Sequence, residues 1–233
     1  MPKLDASLIA GLPPFEGLQR DELEEVLAPA RSIRFAAGTA IFDQEAEAES
    51  FFVLLDGYVR VVRTTPEGQQ VIVRYISEGE IFGIAAALGR TTYPATAVAA
   101  MDCVALAWPS ALWPELSSRF PSLGANTYKT VGSRLQDAHT RVVEMSTEQV
   151  EQRVAHALLR LVKQTGRKTE EGIEIDFPIT RQDIAEMTGA TLHTVSRLLS
   201  AWEEQNIVKS RRKHVTVCNP HSLMLKAESR DKT

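Results

Sequence analysis

Residues 180–205 read TRQDIAEMTGATLHTVSRLLSAWEEQ. Thr180 is placed to N-cap a short helix over residues 181–187, Asp183 three positions on completes a capping box, and Ile184 and Met187 supply an apolar edge. Gly189 ends that helix. Thr191 then caps a second one, in which Val195, Leu198, Leu199 and Trp202 recur at i, i+3, i+4 and i+7 and ask to be buried. The groups left outward are His193, Ser196, Arg197 and, a turn later, Ser200. Two short helices around a glycine turn, the second exposing hydrogen-bonding groups from its N-terminal half, suit a helix-turn-helix that lays one helix in the DNA major groove. Ala185 sits where bulk would push the helices apart, and Gly189 where the turn wants a left-handed backbone. An ordinary corner of two packed helices would use the same Ala and Gly; the whole pattern, together with a basic hairpin directly after it, favours DNA.

That hairpin is IVKSRRKHVTVC, residues 207–218. Ile207, Val208, Val215 and Val217 make two short strands, and Lys209, Arg211, Arg212, Lys213 and His214 crowd the turn between them. Such a wing can press cations on phosphates beside the helix, although a solvated turn would read the same way.

Composition sets the bounds. The 233 residues, 44% of them hydrophobic, allow one or two domains with real cores. No apolar run approaches a membrane span and Met1-Pro-Lys-Leu-Asp begins no signal peptide, so the expectation is a cytoplasmic protein that does not meet a membrane. Cys103 and Cys218, far apart and outside any CxxC, argue against a disulfide scaffold, a zinc site or an iron–sulfur cluster held by cysteines of one chain. The net charge of −4 divides unevenly: residues 1–146 carry 12 Lys+Arg against 18 Asp+Glu, and residues 147–233 carry 14 against 12. A C-terminal part at +2 on a body at −6 fits a DNA-binding module on an acidic body.

Ahead of it, residues 13–29 contain an amphipathic helix with Leu18, Leu23, Val26 and Leu27 inward. From Arg31 to Trp108 the period changes to two. Strands are predicted at 32–36, 40–43, 51–55, 58–63, 71–76, 80–82, 95–99 and 104–108, with turn signals at Gly38, Gly57, Gly68, Gly79 and Gly89. Eight short strands with glycine punctuation indicate a small antiparallel barrel or jelly roll, able to hold a small ligand. There is no histidine among them, no nucleophile with a base and no hydrolase or transferase motif, and catalysis is not expected.

Residues 121–146 bring a third period. Tyr128, Val131, Leu135, Ala138, Val142 and Met145 are spaced 3, 4, 3, 4 and 3, the a/d seam of a parallel two-stranded coiled coil. A homodimer along this helix would present two recognition helices to a palindromic operator on double-stranded DNA. Residues 147–165 give one more helix with Val150, Val154, Leu158, Leu161 and Val162 inward, and Ile173, Ile175 and Phe177 alternate as a strand or hairpin leading to Thr180. The reading is α+β: a sensor roll over residues 1–120, a dimerisation helix over 121–146, and a winged helix-turn-helix over 147–233.

This order of parts resembles the CRP/FNR family of bacterial transcription regulators, most strongly in ITRQDIAEMTGATLHTVSRLLSAWEEQNIV and next in LLDGYVRVVRTTPEGQQVIVRYISEGEIFG. The resemblance implies a cyclic-nucleotide-binding-like roll that takes an effector, a dimer helix that passes the signal on, and DNA heads that reorient at promoters, commonly as activators that recruit RNA polymerase. The cyclic-AMP receptors of the family carry Gly-Glu and then Arg-Ser; here Ile84 follows Gly83 and the later segment is Thr92-Tyr93-Pro94-Ala95-Thr96, so cyclic AMP is not expected. The oxygen sensors carry an N-terminal cysteine cluster, and no cysteine precedes Cys103, so no iron–sulfur cluster is expected either. Carbon-monoxide sensors use a Cys and a His near the position of Gly83, where this chain has Gly83 and Ala85. Residues 93–97 and 191–197 look like the DNR/NnrR branch, which responds to nitric oxide and nitrogen oxides with haem as cofactor. On that resemblance Gly83, Tyr93 and Thr96 line the effector pocket, and a haem would draw its ligand from Tyr93, Met101, Cys103, the N-terminal amine or His139. An effector-independent regulator of the FixK type, or a roll that binds another small molecule, is the alternative.

In the recognition helix, Arg197 matches the family arginine and its fork suits guanine O6 and N7. Ser196 matches the residue that FNR-like members set against thymine. His193 stands where many relatives have a glutamate, and a neutral imidazole offers a donor to guanine N7 or O6, so the half-site should differ there; a solvated His193 without a base contact is the other option. Arg181, Gln182, Thr191 and Thr194, with the wing's Lys209, Arg211, Arg212 and Lys213, are expected to hold phosphates.

Overall fold

In a computed structural model covering the chain, residues 5–228 are described. They fall into two compact units, 5–68 with 73–137, and 69–72 with 138–228. Each is built by the periodicities above.

In the first unit, helix α1 (Arg20–Leu27) buries Leu23, Val26 and Leu27, with Leu18 just ahead of it packed on the same core. The eight expected strands are all present: β1 (Arg31–Phe35), β2 (Ala40–Phe42), β3 (Ser50–Asp56), β4 (Val59–Thr64), β5 (Gln70–Ile76), β6 (Ile81–Phe82), β7 (Thr96–Ala99) and β8 (Cys103–Pro109). They form two four-stranded antiparallel sheets in the orders β1-β8-β3-β6 and β2-β7-β4-β5. Gly57 shows why the turns are glycine: at φ 91° a Cβ would stand 2.6 Å from the Asp102 carbonyl. Between the sheets lie Phe52, Leu54, Val59, Ile76, Phe82, Ala97 and Ala105. On the outer side of β3 and β8 a second cluster packs Phe15, Val26, Phe51 and Leu123 around Trp108, whose indole N–H donates to the Val26 carbonyl at 2.7 Å. After α2 (Trp113–Arg119) comes α3 (Pro121–Thr147). Trp113-Pro114 opens α2, because proline at the second position of a helix removes only an N–H that would lack a partner.

The first part of α3 is fixed within this unit. The Asn126 amide donates to the Glu16 carbonyl at 2.8 Å. Arg134 is largely buried and shares Glu80 with Arg74; it also donates to the Ile81 carbonyl. Burial, reinforced by the Arg74 charge, holds the Arg134 guanidinium down to about 10.

The second unit contains the end of α3, then α4 (Val150–Thr165), β9 (Gly166–Thr169), β10 (Gly172–Ile175), α5 (Arg181–Thr188), α6 (Leu192–Glu204), β11 (Val208–Arg211), β12 (His214–Val217) and α7 (Pro220–Glu228). Its antiparallel sheet runs β11-β12-β10-β9. Val154, Leu158 and Leu161 of α4 are buried, as are Ile184, Val195, Leu199, Trp202 and Leu223. The stripe expected to be inward on α4 is therefore inward, with Val150 and Val162 half-exposed at its edges.

Of the six seam positions on α3, five are exposed: Tyr128 at 55%, Leu135 at 56%, Val142 at 64%, Met145 at 54%, and the small Ala138. Val131 is the exception and a correction. It is partly buried and packs against the Trp108 cluster, because the roll reaches one edge of the stripe near the start of α3. Val143, outside the seam, is 60% exposed.

Candidate nucleic-acid interface

The head is assembled by local chemistry. The Thr180 hydroxyl accepts from the Asp183 amide at 3.1 Å and the Asp183 carboxylate accepts from the Thr180 amide at 2.7 Å, a reciprocal cap for α5. Gly189 comes next at φ 63°, left-handed as the turn requires. The Thr191 hydroxyl accepts from the Thr194 amide at 3.2 Å and starts α6. With Val195, Leu199 and Trp202 buried, His193 and Arg197 are exposed and Ser196 is half-buried on the other side.

Trp202 is also a strut. Its indole N–H donates to Glu151 of α4 at 3.1 Å, tying the recognition helix to the helix beneath it. On the other flank Arg181 reaches from α5 to the Ser196 carbonyl and the Ser200 hydroxyl of α6, both at 3.4 Å, to Glu203 at 3.3 Å, and to the Ser210 hydroxyl of β11 at 3.0 Å. Glu203 in turn accepts from the Ser210 amide at 3.0 Å. The pair joins both helices and the wing into one body. The sequence offered no signal for Glu203 or Ser210, since their partner lies twenty to thirty positions upstream.

The residues expected at phosphates divide into two sets, those already engaged within the head and those left exposed. Arg181 is engaged with α6 and β11, and Gln182 donates to Glu186 at 2.9 Å. Lys209 and Arg211 pair with Glu171 of the β9–β10 turn at 2.6 and 3.1 Å, and the Lys209 hydrogen bond holds the Glu171 carboxyl below its usual range. Thr191 and Thr194 share a hydroxyl–hydroxyl bond at 2.9 Å. Arg212 and Lys213 stand exposed at the wing tip, with Lys213 at φ 59°. Between α5 and the wing lies a cleft of about 300 Å³ lined by Arg181, Arg211, Arg212, Lys213 and His214. A cationic concavity between α5 and the wing has the chemistry to take a phosphate.

The residues expected in the effector pocket are built into the roll. Tyr93 is buried; its ring stacks on Phe42 with centroids 3.8 Å apart, its hydroxyl donates to the Ser50 carbonyl at 2.6 Å and accepts from the Ser50 amide at 3.1 Å. Burial pushes the phenol up. Thr96 accepts from the Gln44 amide at 2.9 Å. Gly83, at φ 67°, leaves a Cβ only 3.0 Å from Phe52.

A winged helix-turn-helix with such a face defines a DNA-binding protein, and comparison with known proteins agrees. Residues 32–119 match the cyclic nucleotide-binding domain family and residues 152–225 the Crp-like helix-turn-helix domain family. The chain is 30% identical to the cyclic AMP receptor protein of Thermus thermophilus over 199 residues, 85% of this chain and 89% of that protein. It is 27% identical to the global nitrogen regulator of Synechococcus elongatus over 204 residues, 87% and 92% of the two chains. The structure of FixK2 from Bradyrhizobium japonicum shares the fold with a TM-score of 0.75 at 20% identity, covering 86% of this chain and 98% of that one. The chain belongs to the CRP/FNR family of transcription regulators. As in that family it is not an enzyme, and among the described residues no helix is long and apolar enough to cross a membrane.

Proposed function

We propose that this regulator works as a homodimer paired along α3, that each recognition helix reads one half of a palindromic operator, and that it activates transcription by recruiting RNA polymerase. The observation that carries the reading is the division of α6: an apolar side locked to α4 and α5, and an exposed side bearing His193 and Arg197 with Ser196 between them. Arg197 donates to guanine, His193 reads or borders a neighbouring pair, and Arg212 and Lys213 hold backbone phosphate. Arg181, by its contacts, positions α6 and the wing. The apolar row of Tyr128, Leu135, Val142 and Met145 supports the pairing, since so regular an exposed stripe on one helix needs a partner. Binding to the selected operator about 10³-fold or more tighter than to scrambled DNA at one salt concentration supports this reading; equal binding refutes it.

For the effector, the resemblance of residues 93–97 and 191–197 to the DNR/NnrR branch supports a response to nitrogen oxides. The roll's own residues do not fit a haem. Tyr93 is tied to Ser50, and the buried Cys103 thiol donates to the Tyr58 and Met101 carbonyls at 3.2 Å; burial pushes that thiol up, away from the thiolate a metal requires. His139 lies exposed on α3, and the Met1 amine lies outside the described residues. These contacts favour a second reading: a regulator of the FixK type, whose roll is a packed scaffold centred on the Phe42, Phe52, Phe82 and Tyr93 rings. Purified protein titrated with haem and nitric oxide decides between them. A Soret band that shifts with nitric oxide and alters operator affinity supports the first; unchanged affinity supports the second.

A further inference from the structure

Where α3 gives way to α4, two pairs of side chains face one another across the bend. Glu144 lies in the last turn of α3 and Glu148 just past its end, and the Glu148 amide still donates to the Glu144 carbonyl at 2.9 Å. His156 and Arg160 are one turn apart on α4. The His156 Nδ1 lies 3.0 Å from a Glu148 carboxylate oxygen, and Arg160 donates to Glu144 at 2.5 Å. Glu144 is buried, Glu148 and His156 half-buried, and one ligand atom from each of the three lies within 4.8 Å of the others.

We propose that Glu144, Glu148 and His156 form a site for a divalent transition-metal ion of the Zn²⁺ class. Two carboxylates and an imidazole suit such an ion. The 3.0 Å between His156 and Glu148 is a hydrogen-bond separation, a few tenths of an ångström short of the roughly 3.4 Å between adjacent ligands of a tetrahedral ion with bonds of roughly 2.1 Å. Two guanidinium groups border the carboxylates, Arg160 on the Glu144 side chain and Arg153 on the Glu148 backbone carbonyl, and only Arg160 occupies a carboxylate oxygen that the ion would take. Arg160 holds Glu144 while its own Nε is buried without a hydrogen-bond partner, so an ion entering the site takes the place of this guanidinium on the Glu144 carboxylate. The cluster sits at the root of the DNA head. Arg153 donates to the Glu148 carbonyl at 2.9 Å and to the Thr188 carbonyl at the end of α5 at 3.1 Å, and a Cβ on Gly189 would stand 2.9 Å from the Met145 terminal methyl. An ion bound here clamps the bend that carries the helix-turn-helix.

The test is calorimetric titration of the full-length wild-type protein with Zn²⁺, repeated with Co²⁺ for its visible absorption. One saturable ion per protomer is expected, with a cobalt spectrum of nitrogen and oxygen ligation and a melting temperature raised by the ion. Glu148→Gln and His156→Gln should each weaken binding by about 10–100-fold, the loss typical even of groups outside the coordination sphere, while His221→Gln on α7 should leave it unchanged. Circular dichroism confirms folding of each variant, and either folded variant suffices. Absence of saturable binding to the wild type, sulfur ligation from Cys218, or binding that persists undiminished in a folded variant overturns the proposal. None of these readouts depends on DNA.

Discussion

The roll and the head handle their polar side chains in opposite ways. In the roll, chemistry that could meet a ligand is turned to internal use: Tyr93 holds Ser50, Thr96 holds Gln44, and Arg74 and Arg134 share Glu80. In the head the internal work falls to the first turns and the flank, through Thr180, Asp183, Arg181 and Glu203, and the middle of α6 stays open. Buried polar groups must be paired, whereas a groove-reading helix needs its donors unspent until DNA arrives. The contrast puts specificity in the head and rigidity in the roll, with α3 serving both.

The largest effect is expected at the proposed pairing surface on α3. Leu135→Glu places a charge in the middle of the exposed stripe, and sedimentation velocity should show monomers, with specific operator binding reduced by about 10³-fold or more. A dimer that persists would move the pairing surface off α3. Next comes the buried cluster of the roll. Glu80→Gln removes the negative charge that two partly buried guanidinium groups share and should cost about 3–5 kcal/mol of unfolding free energy, whereas Arg134→Met leaves Arg74 paired and should cost less than about 1.5 kcal/mol; denaturant titration of both measures the difference. Equal losses would show that Arg74 and Arg134 do not share Glu80.

In the head, Arg197→Ala should weaken operator binding by about 1–3 kcal/mol and relax sequence choice at one base pair, leaving the fold intact. An unchanged footprint and specificity ratio would remove Arg197 from the readout. The smallest effect belongs to Tyr93→Phe, about 1 kcal/mol from the lost hydroxyl bonds, and it carries a pH signature. The folded phenol titrates above its usual 10.0, so its stabilising contribution is intact below pH 10 and is lost as the pH climbs through the folded value. Melting temperatures measured across that range should fall less steeply in the variant; parallel curves would contradict the buried role of Tyr93.

Much of this was legible in the sequence where a period or a cap was strong. Strands such as β7 alternate in burial, the turns at Gly38, Gly57, Gly68 and Gly79 take the positive φ that glycine adopts without strain, and both head helices announce their caps in Thr180, Asp183 and Thr191. The short pieces were not legible for physical reasons. Strand β9, GRKT, is exposed along its whole length and so has no apolar alternation to betray it. Helix α7 begins after Asn219, whose side chain accepts from the Ser222 amide at 3.0 Å, a cap that could have been noticed. Val131 follows the heptad spacing yet turns to the roll, because spacing along one helix does not say which neighbour takes which edge. The pairing of Arg181 with Glu203 and of Lys209 with Glu171 joins residues distant in the chain, and charge counting alone sees only cations.

That two copies of this protein grip one duplex is tested most directly by selecting bound DNA from a random pool with the full-length chain. The expected product is an inverted repeat whose half-site centres lie about one helical turn, roughly 34 Å, apart, with a guanine at the Arg197 position of each half. A single unrepeated site, or enrichment of no sequence, would contradict it.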